Sequence, residues 1–135
     1  MKLFRPNVIL NVELENIDDE DMNVEKFMEL VGYYSINEVI LTKCSIQLRS
    51  SANYLLAPAK VLRGINSQLK FTRFDQVLTC HYMKFENCKF FLKLHCDRIF
   101  HNVRRCYMSN CNIKDSFLTF FGEKLEELII KKTMV

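Results

Sequence analysis

The sequence predicts an α/β domain in which short strands alternate with helices and stack into a short solenoid, with a curved parallel sheet and the helices on its convex side. Two observations predict this fold. One apolar pattern of fixed spacing recurs along the chain, and segments with helical signals lie between its copies. At 135 residues the chain has a normal length for a single domain, and we expect residues 1–135 to form one.

The recurring pattern has apolar residues at its first, fourth, sixth and eleventh positions and a small residue, usually Cys, at its ninth. Residues 36–46 (INEVILTKCSI) are the clearest copy, and a weaker copy begins at Ile9. The predicted regular units lie near 9–31, 36–46, 80–102, 103–124 and 125–135. Residues 47–79 interrupt the pattern, so we expect them to be irregular apart from a short strand within 69–74.

Four segments of the chain carry helical signals. In residues 24–31 apolar side chains recur at the spacing of one helix face, after an acidic run that favours a helix N-terminus. Residues 115–121 begin with Asp115 and are followed by Gly122, a typical residue at a helix end. Residues 55–62 and 92–100 have similar apolar spacing. These segments supply the helices of the predicted strand-plus-helix unit.

The segments INEVILTKCSI and VRRCYMSNCNI resemble the cysteine-containing leucine-rich repeats of F-box/LRR proteins. Cys88, Cys111 and Thr133 share one pattern position at steps of 23 and 22 residues, within the roughly 20–29 residues of such repeats. The resemblance implies a protein-binding solenoid, as in the substrate-recognition subunits of ubiquitin ligases. No polar capping element follows residues 125–135, so we also expect capping by another chain or self-association.

Residues between the apolar positions are predicted to point outward from the sheet and to form its binding surface, because strand side chains alternate between faces. The predicted partner-binding residues are Ile40, Tyr82, Lys84, Arg105, Tyr107 and Ile129. Tyr and Arg are enriched at protein interfaces, so Tyr82, Arg105 and Tyr107 are the preferred anchors. The alternative is a solvated sheet face whose charges pair across strands.

The composition favours an intracellular, cytoplasmic or nuclear protein-binding domain. The net charge is +3, from 19 basic and 16 acidic residues that are largely interleaved, so nucleic acid is not favoured as a partner. No run of 18 apolar residues occurs, so no membrane segment is expected. The sequence has no phosphate-binding glycine loop and no hydrolase or zinc-protease motif, so we expect neither catalysis nor a cofactor.

Two other functions compete with protein binding. Residues 80–111 contain five cysteines and three histidines, which suggests a small zinc-stabilised domain with nucleic acid as its candidate partner. The cysteine pairs are too widely spaced for the tight turn of a usual zinc site, and most occupy inward positions of the repeat. We therefore expect the cysteines to be reduced thiols in the core, and we expect no metal ligands. A Cys96-dependent enzyme, with His95 and His101 nearby, is the third hypothesis.

Overall fold

The structure, a computed structural model, describes residues 9–18, 35–48, 59–71, 78–92, 98–113 and 115–132. These residues form two parallel sheets and a 3-10 helix, Asp115–Phe120. The six-stranded sheet contains, in order, β1 (Ile9–Glu15), β2 (Ser35–Thr42), β4 (Val61–Ile65), β6 (Tyr82–Glu86), β8 (Arg105–Ser109) and β9 (Glu127–Lys131). The three-stranded sheet contains β3 (Ser45–Leu48), β5 (Gln68–Phe71) and β7 (Lys89–Leu92).

In the described residues, the chain leaves the first five strands of the six-stranded sheet through a bend at one residue with positive φ. The bend residues are Asn16, Lys43, Asn66, Asn87 and Asn110, with φ between 51° and 57°. Asn suits this position because it tolerates the left-handed region better than most other residues with a side chain. The N–H of each bend residue donates to a carbonyl at the end of the neighbouring strand, as Asn66 does to Glu86 at 2.9 Å. The bends therefore also hold the rungs in register.

A small side chain follows each of the last four bends and points inward. We call this set the bend ladder; it comprises Cys44, Ser67, Cys88 and Cys111. The Ser67 hydroxyl lies 2.9 Å from the Ile65 carbonyl and 3.3 Å from the Leu41 carbonyl, and it accepts the Cys44 N–H at 3.1 Å. The thiols donate to carbonyls at equivalent positions, at 3.3–3.5 Å. The ladder thus satisfies backbone groups that the bends bury.

The core lies behind the six-stranded sheet, where alternate residues of each strand are buried. In β6, Met83 and Phe85 are fully buried, whereas the residues between and beside them are half-exposed. In-register pairing stacks these inward residues into rows that run across the strands. One row is Val39, Leu62, Met83 and Cys106; the next is Leu41, Gly64, Phe85 and Met108. Each rung therefore adds its apolar side chains to a continuous core.

Phenylalanine rings connect the two sheets to the 3-10 helix. Phe85, from the six-stranded sheet, packs edge-on against Phe90 of β7, with ring centroids 4.8 Å apart. Phe90 lies 5.8 Å from Phe117, which contacts Phe100 at 5.6 Å. The Phe85 ring occupies space that a side chain at position 64 would need: a Cβ on Gly64 would lie 2.6 Å from its Cδ1. Glycine is therefore required at position 64 by close packing.

The predicted α/β fold with helices on the convex side is wrong. In the described residues the chain continues after three of the bends as a second strand, and these strands pair in register as a second parallel sheet. Ile46, Leu69 and Phe90 are buried and alternate with exposed or half-buried neighbours, which is the period of a strand and not of a helix. Isolated bridges at Asp18 and Asn112 extend the same pairing to the outer rungs.

The individual helix predictions fare differently. Residues 115–120 are helical, but as a 3-10 helix. The end of the 55–62 segment belongs to β4, and the 92–100 segment begins at the last residue of β7. The segment 24–31 lies outside the described residues, as do parts of the other two.

The segment 47–79, predicted to be irregular, contains a complete rung. Strands β4 and β5 pair on both sides with their neighbours, and they follow the same pattern as the other rungs. Its five pattern positions hold Ala59, Leu62, Gly64, Ser67 and Leu69. Ala and Gly at apolar positions hide the repeat, although the dipeptide Asn66-Ser67 matches the bend and ladder positions of Asn87-Cys88.

In the copies at residues 36–46, 80–90 and 103–113, every residue predicted to face inward is buried or half-buried. The copies in the two edge strands, β1 and β9, each depart from the prediction at one residue. Ile9 is 67% exposed, because a register shift after Leu10 makes Leu10 the partner of Ile36. Ile130 is 44% exposed, because no described strand covers it beyond β9. Thr133 and Val135 lie outside the described residues.

We predict that Gly64→Ala lowers the free energy of unfolding by about 1–3 kcal/mol, because its Cβ would overlap the Phe85 ring. Urea denaturation measures the change. Gly122→Ala is the matched control and should cost less, because its Cβ would meet the His101 side chain at 3.1 Å. Combining Gly64→Ala with Phe85→Leu should recover part of the loss. Equal effects of the two single changes would contradict the packing.

We also predict that Ser67→Ala destabilises the protein by about 1–3 kcal/mol, since it leaves the buried Cys44 N–H without its acceptor. Ser67→Cys should cost less, because a thiol fills the same position in three other rungs. Urea denaturation of both variants tests this order. A Cys variant less stable than the Ala variant would show that position 67 differs from the other ladder positions.

Candidate protein-binding face

The outward residues of the six-stranded sheet form a continuous surface, which we call the outer face. Three rows cross the strands in register. The upper row is Asn11, Glu38, Val61, Tyr82, Arg105 and Glu127. The middle row is Glu13, Ile40, Arg63, Lys84, Tyr107 and Ile129, and the lower row is Glu15, Thr42, Ile65, Glu86, Ser109 and Lys131. Each row therefore collects one residue from every strand of this sheet.

All six predicted partner-binding residues lie on the outer face. Four of them, Ile40, Lys84, Tyr107 and Ile129, share the middle row, and Tyr82 and Arg105 are neighbours in the upper row. The sequence prediction missed the residues that β4 adds between them, Val61, Arg63 and Ile65. Arg63 lies between Ile40 and Lys84 and so makes the middle row continuous. The Asn66-Ser67 dipeptide was the available signal for this strand.

The Tyr107 ring of the outer face is held in place by two lysine side chains. The Lys84 ammonium lies 5.4 Å from its ring centroid, and the Lys131 ammonium lies 5.6 Å from it. Cation–π contacts of this kind contribute about 0.5–1 kcal/mol at exposed sites. The ring is thus held from both sides, by Lys84 of β6 and by Lys131 of β9. This reduces the side-chain entropy that is lost when a partner binds.

Two ion pairs lie along the outer face, and both are exposed enough to be weak. Arg63 Nε lies 3.7 Å from Glu38 Oε2, and Lys84 Nζ lies 3.9 Å from Glu86 Oε1. Exposed pairs of this length contribute roughly 0–1 kcal/mol. The Nε atom of Arg63 is buried and makes no hydrogen bond. Because both ion pairs are weak, a partner's acceptor can compete for the exposed parts of the Arg63 and Lys84 side chains at little cost.

A shallow depression of about 160 Å³ lies in the middle of the outer face. It is lined by Ile40, Arg63, Gly64, Ile65, Lys84 and Glu86. Ile65 is 39% exposed beside it, although apolar side chains of this size are usually buried. The depression thus offers an apolar floor between charged side chains, the composition typical of a protein-binding surface.

The cysteines form no metal site in the described part of the chain. Cys80, Cys88 and Cys106 are buried, and no group of three or more His, Cys, Asp or Glu side chains is placed to hold a metal ion there. Burial raises the pKa of Cys80 and of Cys106 to about 12, so both are neutral thiols at pH 7. Cys96 and His95, the centre of the enzyme hypothesis, lie outside the described residues.

Cys88 and Cys111 are neighbours in the bend ladder, and the Cys88 thiol can donate to the Cys111 sulfur in place of the Glu86 carbonyl. The hydrogen bond from Cys88 lowers the pKa of the half-buried Cys111 to about 7, although burial opposes it. The same bond, together with burial, raises the pKa of Cys88 far above its ordinary value. Cys111 therefore loses the first proton of the pair.

We predict that Cys111 is the fastest of the described cysteines to react with iodoacetamide, because the thiolate is the nucleophile. Peptide mapping after brief labelling gives the order, and the Cys111 rate should rise with pH through about 7. Cys88→Ala removes the hydrogen-bond donor and should move that rise to higher pH. An unchanged profile in Cys88→Ala would contradict the assigned cause.

We predict a loss of stability at alkaline pH from Cys80 and Cys106. Their pKa is raised from 9.0 to about 12. Their contribution to the free energy of unfolding is therefore fully present below pH 9 and is lost as the pH rises to 12. Within this pH range, each thiol lowers the free energy of unfolding by up to about 1.4 kcal/mol per pH unit. Urea denaturation between pH 8 and pH 11 should show a shallower fall in Cys80→Ala/Cys106→Ala than in the natural chain. Equal slopes would contradict burial of these thiols.

Comparisons with known proteins add no relative to this description. Among the described residues, no helix has the length and apolar character needed to cross a membrane. No family model, curated protein or solved structure matches the chain.

Proposed function

We propose that this chain is a protein–protein interaction module that presents its outer face to a protein partner, and that it acts by binding and not by catalysis. The observation that carries the proposal is the middle of that face, where Lys84 and Lys131 contact the Tyr107 ring and Arg105 lies two residues before Tyr107 on the same face of β8. Tyr and Arg are the residue types that most often dominate binding energy at interfaces.

The size of the outer face limits what it can hold. Six strands spaced about 4.8 Å apart and five residues long cover roughly 25 by 16 Å, which is about 400 Å². A stable complex between folded proteins buries about 800 Å² on each partner. The face therefore suits a peptide segment of a partner better than a whole folded domain.

A narrower form of the proposal is a substrate adaptor of ubiquitin-ligase type. It is supported by the likeness of residues 36–46 and 103–113 to the cysteine-containing repeats of F-box/LRR proteins. The resemblance implies a substrate-recognition subunit, and a peptide segment of a substrate would match the size of the outer face.

We predict that Arg105→Ala/Tyr107→Ala weakens partner capture at least about fivefold and changes the melting temperature little, because neither side chain is buried. Quantitative affinity capture from a cell extract, with the double variant beside the natural chain, measures the loss. The matched control is Lys89→Ala/Phe91→Ala, a basic and an aromatic residue with the same spacing on the exposed side of β7.

Three results would count against the proposal. Equal capture by both double variants would place binding elsewhere. Loss of capture only in the Lys89→Ala/Phe91→Ala variant would place it on the three-stranded sheet. Unfolding of Arg105→Ala/Tyr107→Ala would show that these side chains belong to the core.

A further inference from the structure

A compact basic and aromatic patch lies across three neighbouring strands of the outer face, β4, β6 and β8. Just before these three strands begin, backbone hydrogen bonds align a row of Lys60, His81 and Arg104. The row continues to Asn37 in β2 on one side and to Glu126, just before β9, on the other. The patch combines the centre of this row with the upper and middle rows, and it contains Lys60, Val61, Arg63, His81, Tyr82, Lys84, Arg104, Arg105 and Tyr107. These nine positions include five cations and two tyrosines. The one carboxylate that the outer face carries on these three strands is Glu86 of the lower row, 3.9 Å from Lys84 Nζ.

Carboxylates border this central patch on both sides. On the side of β1 and β2 the outer face carries Glu13, Glu15 and Glu38. On the side of β9 the flanking carboxylates are Glu126 and Glu127, and Lys131 lies in the lower row of the same strand. Taken together, the upper row, the middle row and the row at the strand entrances therefore change across the strands from acidic to basic and back to acidic. The lower row, which contains Glu86 and Lys131, does not follow this order. This pattern is hidden in the sequence, because it forms only when rungs more than 20 residues apart in the chain are stacked in register.

The width of the central patch sets the length of the anion that fits it. Three strands span two spacings of about 4.8 Å, which gives roughly 10 Å. An extended peptide covers this distance with three or four residues at about 3.3 Å each. A longer polyanion, such as single-stranded nucleic acid, would continue over Glu38 on one side or Glu127 on the other and be repelled there.

We propose that the outer face binds a peptide segment of a partner that carries a run of three or four acidic residues with basic residues on both sides. The acidic run lies across Lys84, Arg105 and Arg63, and the flanking basic residues meet the carboxylates at both borders. The whole outer face is about 25 Å across, the length of an extended segment of about eight residues. This inference rests on the proposed function and adds the chemistry of the partner.

The experiment compares two peptides of identical composition. One has the block order Lys-Lys-Glu-Glu-Glu-Glu-Lys-Lys, and the other alternates Glu and Lys, so both carry the same net charge. Fluorescence anisotropy with a dye on the N-terminus of each peptide measures binding to the full chain. We expect the block peptide to bind at least about tenfold tighter, with an affinity that falls between about 50 and about 300 mM NaCl.

Charge reversal then locates the binding site. Lys84→Glu/Arg105→Glu should weaken the block peptide at least about tenfold. The matched control is Lys70→Glu/Lys89→Glu, which reverses two exposed lysines on adjacent strands of the three-stranded sheet and should change affinity less than about twofold. Circular dichroism should show both variants folded; if Lys84→Glu/Arg105→Glu unfolds, Lys84→Gln/Arg105→Gln replaces it.

Several results would overturn the inference. Equal affinity for the block and alternating peptides would reject the order of charges, and equal losses in both reversal variants would reject the site. An oligothymidylate of similar length that binds more tightly, and displaces the block peptide, would indicate nucleic acid instead. If Arg105→Ala/Tyr107→Ala loses partner capture while the block peptide shows no preference, the protein-binding function stands and its acidic-peptide form fails.

Discussion

The bend between the two sheets is the constraint on which the rest of this structure depends. At each bend a residue such as Asn66 adopts a positive φ and donates its N–H to the neighbouring rung. The small residue that follows, such as Ser67, turns inward and satisfies backbone groups that the bend buries. Since a shift of one residue would turn every inward side chain outward, this local geometry fixes the register of all the strands beside it.

The surface chemistry follows from that register. Side chains from rungs far apart in the chain, such as Lys60 and Arg105, lie within about two strand spacings because the rungs stack in parallel. The chain as a whole has a net charge of only +3, yet the upper and middle rows of the outer face together separate their charges into acidic, basic and acidic zones. A nearly balanced composition is therefore compatible with a surface that selects one order of charges in a partner.

The strands of the clearest copies were predictable from the sequence, because Val39, Leu41, Met83 and Phe85 occupy a pattern of fixed spacing. The rung at 59–71 was missed because Gly64 leaves its core position empty and Phe85, 21 residues later, fills that space. The second sheet was missed because segments such as KFFL are too short for periodicity to separate strand from helix. Pairing with the next rung decides between them, and pairing is not visible in one segment alone.

Interstrand nuclear Overhauser effects between backbone protons test the stacked register most directly. The account predicts contacts that join Leu62 to Met83 and Met83 to Cys106 in the six-stranded sheet, and Leu69 to Phe90 in the three-stranded sheet. All of these contacts should follow the pattern of parallel strands. Helical contacts between residues three apart within 68–71 or 89–92, or cross-strand contacts of antiparallel type, would contradict the β-solenoid and the arrangement of the outer face that depends on it.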